Sequence, residues 1–297
     1  MTAITGAQER IGALEAGGTK MVLAVGTSTG DILEQEELPT QEPARTVPRI
    51  VEWFAERQVA ALGVGAFGPT GVNPALPSYG KILETPKLAW RNFDFLGELK
   101  SGLPGVAIGY DTDVNVACLG EATFGAGRGL GYVVYLTVGT GIGAGVMVEG
   151  RLLHGMLHPE AGHVLIERAE GDVAKSSCAY HDNCVEGLAS GPAIELHWGR
   201  PAVELADRPE VWELEATYLG HALSSYVLCY SPQRIILGGG VMKQEQLLPL
   251  VRQELAKALG GYIVTPEIAD LDTYVVPAGC GGTQGILGCL ALGAREL

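Results

Sequence analysis

One device recurs along this chain: an apolar stretch runs into glycines and a threonine, and then resumes. It occurs first at Ile11-Gly-Ala-Leu-Glu15-Ala-Gly17-Gly18-Thr19-Lys20, ahead of the apolar Met21 to Val25. It returns at Tyr132-Val-Val-Tyr-Leu-Thr137-Val-Gly139-Thr140-Gly141-Ile142-Gly143-Ala-Gly145-Val146. Each reads as strand, tight turn and strand. A third apolar run, Arg234-Ile-Ile-Leu237, ends in Gly238-Gly239-Gly240-Val241 and leads into a helical pattern from about Lys243 to Leu259, a strand-loop-helix crossover. The 43 glycines, about twice ordinary usage, therefore punctuate a few sharp points and form no low-complexity tract. Two hairpins that open alike predict two related halves, with a boundary near residue 123.

The segments between these marks alternate in type. Ile50, Trp53 and Phe54 stand at helical spacing in Pro48 to Glu56, and Ala61 to Ala66 reads as a strand. Val106 to Tyr110 reads as a buried strand ending at Asp111-Thr112-Asp113, with a helix over Val114 to Phe124. Val211 to Val227 reads as the clearest amphipathic helix, with Val211, Leu214, Tyr218, Ala222 and Tyr226 on one face. This order predicts α/β lobes with largely buried sheets. At 297 residues, 47% hydrophobic and 18% charged, the chain has ample material for two cores. A net charge of −14 makes nucleic acid a poor partner. No apolar run reaches the roughly 18 to 20 residues of a membrane span, and Met1 to Arg10 lacks a leader pattern, so a cytoplasmic protein is expected. Six cysteines are too few for a disulfide scaffold, and Cys118, Cys229, Cys280 and Cys289, each alone among small or apolar residues, read as core.

Glycine-threonine turns expose backbone N–H groups to an oxyanion, so Gly17, Gly18 and Thr19, with Gly139, Thr140 and Gly141, suit phosphate. The chain lacks a Gly-Lys-Ser/Thr phosphate loop, and Gly139 to Gly143 does not precede a helix as a dinucleotide fingerprint would. Phosphoryl transfer also needs magnesium and a base, for which Asp113 is the candidate. Position alone equally suits Asp111 and Asp113 to capping the helix that follows. The densest chemical segment runs from His154 to Glu186 and holds His154, His158, His163 and His181, four of the six histidines. Cys178-x-x-His181-x-x-Cys184, with fourteen residues between His163 and Cys178, supplies four ligands for a closed structural zinc site; the alternative is a reduced thiol pair beside a surface histidine. Zinc there would pin Glu160 and Glu186, carboxylates suited to accept hydrogen bonds from a polyol.

These motifs resemble the ROK family of bacterial sugar kinases in the actin-like ATPase superfamily, most closely its fructokinase branch. The resemblance spans nearly the whole chain. It is carried by Leu14-Glu-Ala-Gly-Gly-Thr-Lys20, Gly65-Ala-Phe-Gly-Pro69, Thr85-Pro-Lys-Leu-Ala-Trp90, Asp113-Val-Asn115 with Glu121, Thr137-Val-Gly-Thr-Gly-Ile-Gly143, His158-Pro-Glu-Ala-Gly-His163, Cys184-Val-Glu186-Gly and Ile236-Leu-Gly-Gly-Gly240. It implies a two-lobed, ribonuclease H-like α/β fold with the active site in the interlobe cleft and a zinc-stapled insertion. The lobes would be 1–122 and 123–297, with a last helix at about 283–297 packing back on the first. It implies ATP and Mg²⁺, with Gly17, Gly18, Thr19, Lys20, Gly139, Thr140 and Gly141 at the phosphates. Pro192, Gly238, Gly239, Gly240 and Val241 would border the nucleoside, and Asp113 would be the base. Gly68, Pro69, Asn115, Glu160 and Glu186 would meet the sugar, while His163, Cys178, His181 and Cys184 would hold structural Zn²⁺. A homodimer is expected.

Three departures stand out. Glu15 replaces the family's usual aspartate before the glycine pair, which favours a water-bridged contact to magnesium. Cys-x-x-His-x-x-Cys replaces a three-cysteine zinc cluster. Lys87 stands where aldohexose kinases of the family carry an asparagine facing the sugar. The expectation is therefore ATP-dependent phosphorylation of D-fructose to fructose 6-phosphate. The alternatives are mannose, glucose or an N-acetylhexosamine as acceptor, a sugar-responsive regulator, or an actin- or chaperone-like ATPase. Fourteen residues ahead of Glu15 are too few for a helix-turn-helix domain, which counts against the regulator.

Overall fold

The computed structural model describes residues 9–85 and 87–297; residues 1–8, read above for a leader, and Pro86 of the Thr85 to Trp90 stretch lie outside them. The chain divides into two compact units. The first runs to Gly125 and takes in His154–His158 and Cys280–Leu297; the second comprises Ala126–Leu153 and Pro159–Gly279. The expected cut lay near residue 123 with the last helix on the first lobe; here Cys280–Leu297 and also the short stretch His154–His158 group with the first unit.

The first unit holds β1 (Ile11–Ala16), β2 (Lys20–Gly26), β3 (Ile32–Pro39), α1 (Pro43–Arg57), β4 (Ala61–Ala66), α2 (Phe95–Gly102), β5 (Ala107–Thr112), α3 (Asp113–Phe124) and a C-terminal helix, Gln284–Ala294. The sheet order is β3-β2-β1-β4-β5, with β1 to β3 antiparallel and β1, β4 and β5 parallel. Successive residues of a strand point to opposite faces. Leu14, Leu23 and Val64 face a cluster that includes Ile50 and Phe54 of α1 and Phe95 and Leu99 of α2. Ala13, Val22 and Ala24 face Val116 of α3 and Ile286 and Leu290 of the C-terminal helix. Burial on both sides explains why these strands read as continuous apolar runs. The second cover is very close, because a Cβ on Gly63 would overlap the Cys289 carbonyl and one on Gly288 would overlap the Val116 carbonyl. Such glycines serve packing as well as turns, which widens the punctuation role expected from the sequence.

The second unit holds β6 (Val133–Val138), β7 (Ile142–Val148), β8 (Arg151–Leu152), α4 (Val185–Ala189), α5 (Gly191–Trp198), α6 (Pro209–Tyr230), β9 (Arg234–Gly238), α7 (Leu247–Leu259) and β10 (Val275–Pro277). Its sheet order is β10-β9-β6-β7-β8, with β6 to β8 antiparallel and β6, β9 and β10 parallel. Each sheet thus carries its glycine hairpin at the same topological place, between the central strand and the next one outward.

Two helix readings need correction. The helical pattern after the triple glycine begins as a 3₁₀ turn, Val241–Lys243, and the α-helix proper starts at Leu247. The segment read as the clearest amphipathic helix lies in α6, whose buried residues include Val211, Trp212, Glu215, Ala216 and Tyr218, so it is enclosed around most of its girth. The more sharply two-faced helix is α1, which buries Val47, Ile50, Trp53 and Phe54 and exposes its other side. Among the described residues no helix is long and apolar enough to cross a membrane.

Candidate active site

In the first bend the Gly17 N–H donates to the Lys20 carbonyl at 3.0 Å, and Thr40 Oγ1 donates to the Gly17 carbonyl at 2.7 Å. The N–H groups of Gly18 and Thr19 have no acceptor among the described residues. That leaves two adjacent donors at an exposed turn, which is the form of a small anion-binding concavity. Lys20 pairs with Glu37 on β3 and is exposed. Lys87 comes to the bend instead: a Cβ on Gly18 would lie 3.4 Å from its Cε.

The second bend is tied at three points within its own unit. Gly139 N–H donates to the Gly141 carbonyl at 2.9 Å, the Gly139 carbonyl accepts from Gly191 N–H at 2.8 Å, and Ile142 N–H donates to Glu186 Oε2 at 3.0 Å. Gly191 and Pro192 open α5. The exit of β9 lies alongside, with Gly239 at φ +94°, a conformation that favours glycine. A Cβ on Gly139 would stand 3.8 Å from the Gly240 nitrogen, and one on Gly191 would stand 3.9 Å from Val241 Cγ2. Gly139, Pro192 and Gly240–Val241, chosen from separate parts of the sequence, are therefore neighbours.

The strand-to-helix junction at Asp113 separates duties that the sequence left together. Thr112 is the helix cap: its Oγ1 accepts from Asn115 N–H at 3.1 Å. Asp113, half-buried in the first turn, accepts from Val114 N–H at 2.8 Å through Oδ1. Burial, reinforced by the Asp113 charge, holds the neighbouring Glu15 carboxyl above its ordinary range. A Cβ on Gly285 would overlap the Glu15 carboxylate, so this glycine makes room for the longer acid. On the sugar-motif side, the Pro69 carbonyl accepts from Leu83 N–H at 2.8 Å, and Phe67 next to Gly68 packs edge-on against Trp90 with centroids 5.6 Å apart.

Asp111 is not a cap either, and its partners were not foreseen. Its Oδ1 accepts from Asn115 Nδ2 at 2.6 Å and from Thr112 N–H at 2.8 Å, while Oδ2 meets His154 Nε2 at 2.8 Å. The hydrogen bond to Asp111 raises the His154 pKa against the opposing effect of burial. Asn115, read as a sugar contact, is wholly buried behind this pair, and its Oδ1 has no partner. The histidine-rich run from 154 onward signalled chemistry, but only the fold brings position 154 to position 111.

The His163, Cys178, His181 and Cys184 ligand atoms all lie within 4.8 Å of one another. Cys178 Sγ stands 3.8 Å from His163 Nδ1 and 3.7 Å from His181 Nδ1, and Cys184 Sγ stands 3.7 Å from His163 Nδ1. Metal–sulfur and metal–nitrogen bonds of about 2.3 and 2.0–2.1 Å in a tetrahedron put ligands roughly 3.4–3.8 Å apart, so the donor set fits such an ion. Backbone N–H groups of Tyr180 and Gly187 face the two sulfurs at 3.4 and 3.3 Å, as suits thiolates. Burial pushes the Cys184 thiol up to about 11, a cost that a bound cation offsets. The other ring nitrogen of His163, Nε2, looks toward Glu186 Oε1 at 3.9 Å. Glu186 therefore touches both the cluster and the second bend, while Glu160 is exposed three residues before His163.

Paired sheets of one topology, each with a glycine bend, and an aspartate at the end of β5 define the actin-like ATPase class of sugar kinases. The chain belongs to the ROK family, whose model matches residues 11–296. It is 45% identical over 288 residues to a putative fructokinase of Bacillus subtilis, covering 97% of this chain and 96% of that one. It is 42% identical to a fructokinase of Pediococcus pentosaceus, covering 97% and 98% of the two chains. Among solved structures it resembles a ROK hexokinase from Thermus thermophilus, with TM-score 0.78 and 27% identity over 97% of this chain and 98% of that one.

Proposed function

We propose that the protein is an ATP-dependent fructokinase that converts D-fructose to fructose 6-phosphate. The observation that carries this reading is near-full-length similarity to fructokinases at 42–45% identity. Asp113 takes the proton of the C6 hydroxyl as that oxygen bonds to the γ-phosphorus; the bond from that phosphorus to the β–γ bridging oxygen breaks, and ADP leaves. The free amides of Gly18 and Thr19, with Thr140 and Gly141, would hold phosphate oxygens, and Pro192 with Gly238–Val241 would flank the nucleoside. Glu160 and Glu186 would accept from sugar hydroxyls, with Gly68 and Pro69 shaping the same pocket. Magnesium, when bound, supplies charge neutralisation at the phosphates, and Glu15 would hold its water, since a cation relieves the crowding of Glu15 by Asp113. Zinc is the ion we assign to the Cys₂His₂ cluster, in a structural role. A cytoplasmic homodimer completes the reading.

Coupled ADP release over a panel of fructose, mannose, glucose and N-acetylglucosamine tests it. The expected outcome is a clear kcat/KM preference for fructose. A strong preference for any aldohexose would overturn the assignment.

A further inference from the structure

The Asp111–His154 pair plays no part in the mechanism above, yet it is built with care. His154 follows β8 and is part of the first unit, where the Gly155 carbonyl is also held by Asn73 Nδ2 at 3.1 Å. Asp111 is buried, and both of its oxygens are used. A carboxylate only accepts, so the hydrogen at His154 Nε2 points to Asp111, and the Asn115 amide is turned with nitrogen inward and oxygen unpartnered. About 33% of the His154 side chain stays exposed, and no hydrogen bond among the described residues uses its Nδ1. An anchored imidazole with one free polar edge therefore stands beside the turn that carries Asp113.

We propose that His154 is a sugar-positioning residue, donating through Nδ1–H to a hydroxyl of the acceptor sugar while Asp111, backed by Asn115, fixes the ring through Nε2. The raised pKa favours the form in which both ring nitrogens carry hydrogen. Because the Asp111 charge matches that of the imidazolium, the pair offers little net charge to a phosphate and suits a neutral hydroxyl. This rests on the sugar-kinase reading above.

Two substitutions separate the ring's two nitrogens. In His154→Gln the side-chain amide keeps a donor for Asp111 and leaves nothing at Nδ1. The expected result is a melting temperature close to that of the parent, an unchanged KM for ATP, and a sugar KM raised about 10- to 100-fold, the loss of one charge-assisted hydrogen bond. His154→Asn, which keeps a polar group near Nδ1 and gives up Asp111, should recover part of the sugar KM while melting lower. A His154→Gln enzyme with the parental sugar KM would reduce His154 to a structural tie and overturn the proposal. Should His154→Gln fail to fold, the imidazole of the unmodified protein is followed by NMR during titration with each sugar of the panel. A shift of its Nδ1 resonance supports the proposal, and no shift with any sugar overturns it. Failure of the fructose assignment is read separately, from which sugar the unmodified enzyme turns over.

Discussion

Thr112 takes the helix cap that residue types alone would also allow Asp113. With Thr112 Oγ1 capping α3 at Asn115, the acid at position 113 has no capping duty that an amide would lose. Asp113→Asn is therefore expected to melt near the parent, to bind sugar within a few-fold by calorimetry, and to lose turnover by about 10² to 10⁴ in kcat, the usual contribution of a positioned base. Loss of sugar binding together with turnover would instead make Asp113 a binding residue. Position 113 stands out in the sequence because a carboxylate at a strand's carboxyl end, ahead of a helix, faces the ligand side of such sheets. Its division of labour with Thr112 does not, since residue types alone allow Asp111, Thr112 or Asp113 to cap. The Asp111–His154 contact was beyond reach for a stronger reason: 43 positions separate the partners, and no period or spacing encodes their meeting. Lys20 and Lys87 make the same point in reverse, because the lysine inside the glycine motif is drawn off by Glu37 and a distant one comes to the bend.

Among the elements, those with a strong period or a sharp glycine stop were legible, as β1, β2, β4, β6, β7 and β9 all lie where apolar runs end in turns. The missed β3 is an edge strand whose Ile32–Pro39 segment buries only Leu38, so its polar sequence gives little sign of pairing. The Cys178–Cys184 part of the cluster was legible because its spacing is local. Elemental analysis is expected to give about one zinc per chain, most of it lost in Cys178→Ser together with a lower melting temperature; full retention of zinc in that variant would dismiss the ligand set. Within α6, Glu215 is enclosed with its Oε1 unpartnered, and burial raises its pKa well above the ordinary carboxylate range. The folded protein then keeps a proton that the unfolded chain gives up. Stability attributable to this group is full in acid and falls by about 1.4 kcal/mol per pH unit from the ordinary carboxylate range up toward the raised value. Glu215→Gln cannot titrate, so its melting temperature should decline less than the parent's between pH 5 and pH 8. Parallel curves would show that the carboxyl is ionised and partnered in the fold.

At the scale of the molecule, repetition and charge act together. Two sheets of identical strand order each turn at a glycine bend, and under the proposed function the backbone amides there would hold a phosphate on a chain of net charge −14. The local attraction is short-ranged and made of dipoles, whereas the repulsion from the whole acidic surface is long-ranged and depends on salt. Screening lengths of roughly 30 Å at 0.01 M and 10 Å at 0.1 M mean that added salt removes the repulsion first. For the anionic magnesium nucleotide, kcat/KM should therefore rise by roughly two- to five-fold between about 10 and 200 mM potassium chloride at fixed magnesium. For the uncharged sugar it should stay level, because no long-range term acts on a neutral acceptor. A nucleotide kcat/KM that falls with salt would mean that a cationic side chain, such as Lys87 beside the first bend, outweighs the net charge. Repeating the titration with Lys87→Met then identifies it: the fall should disappear in that variant if Lys87 is the source, and persist if another cation is.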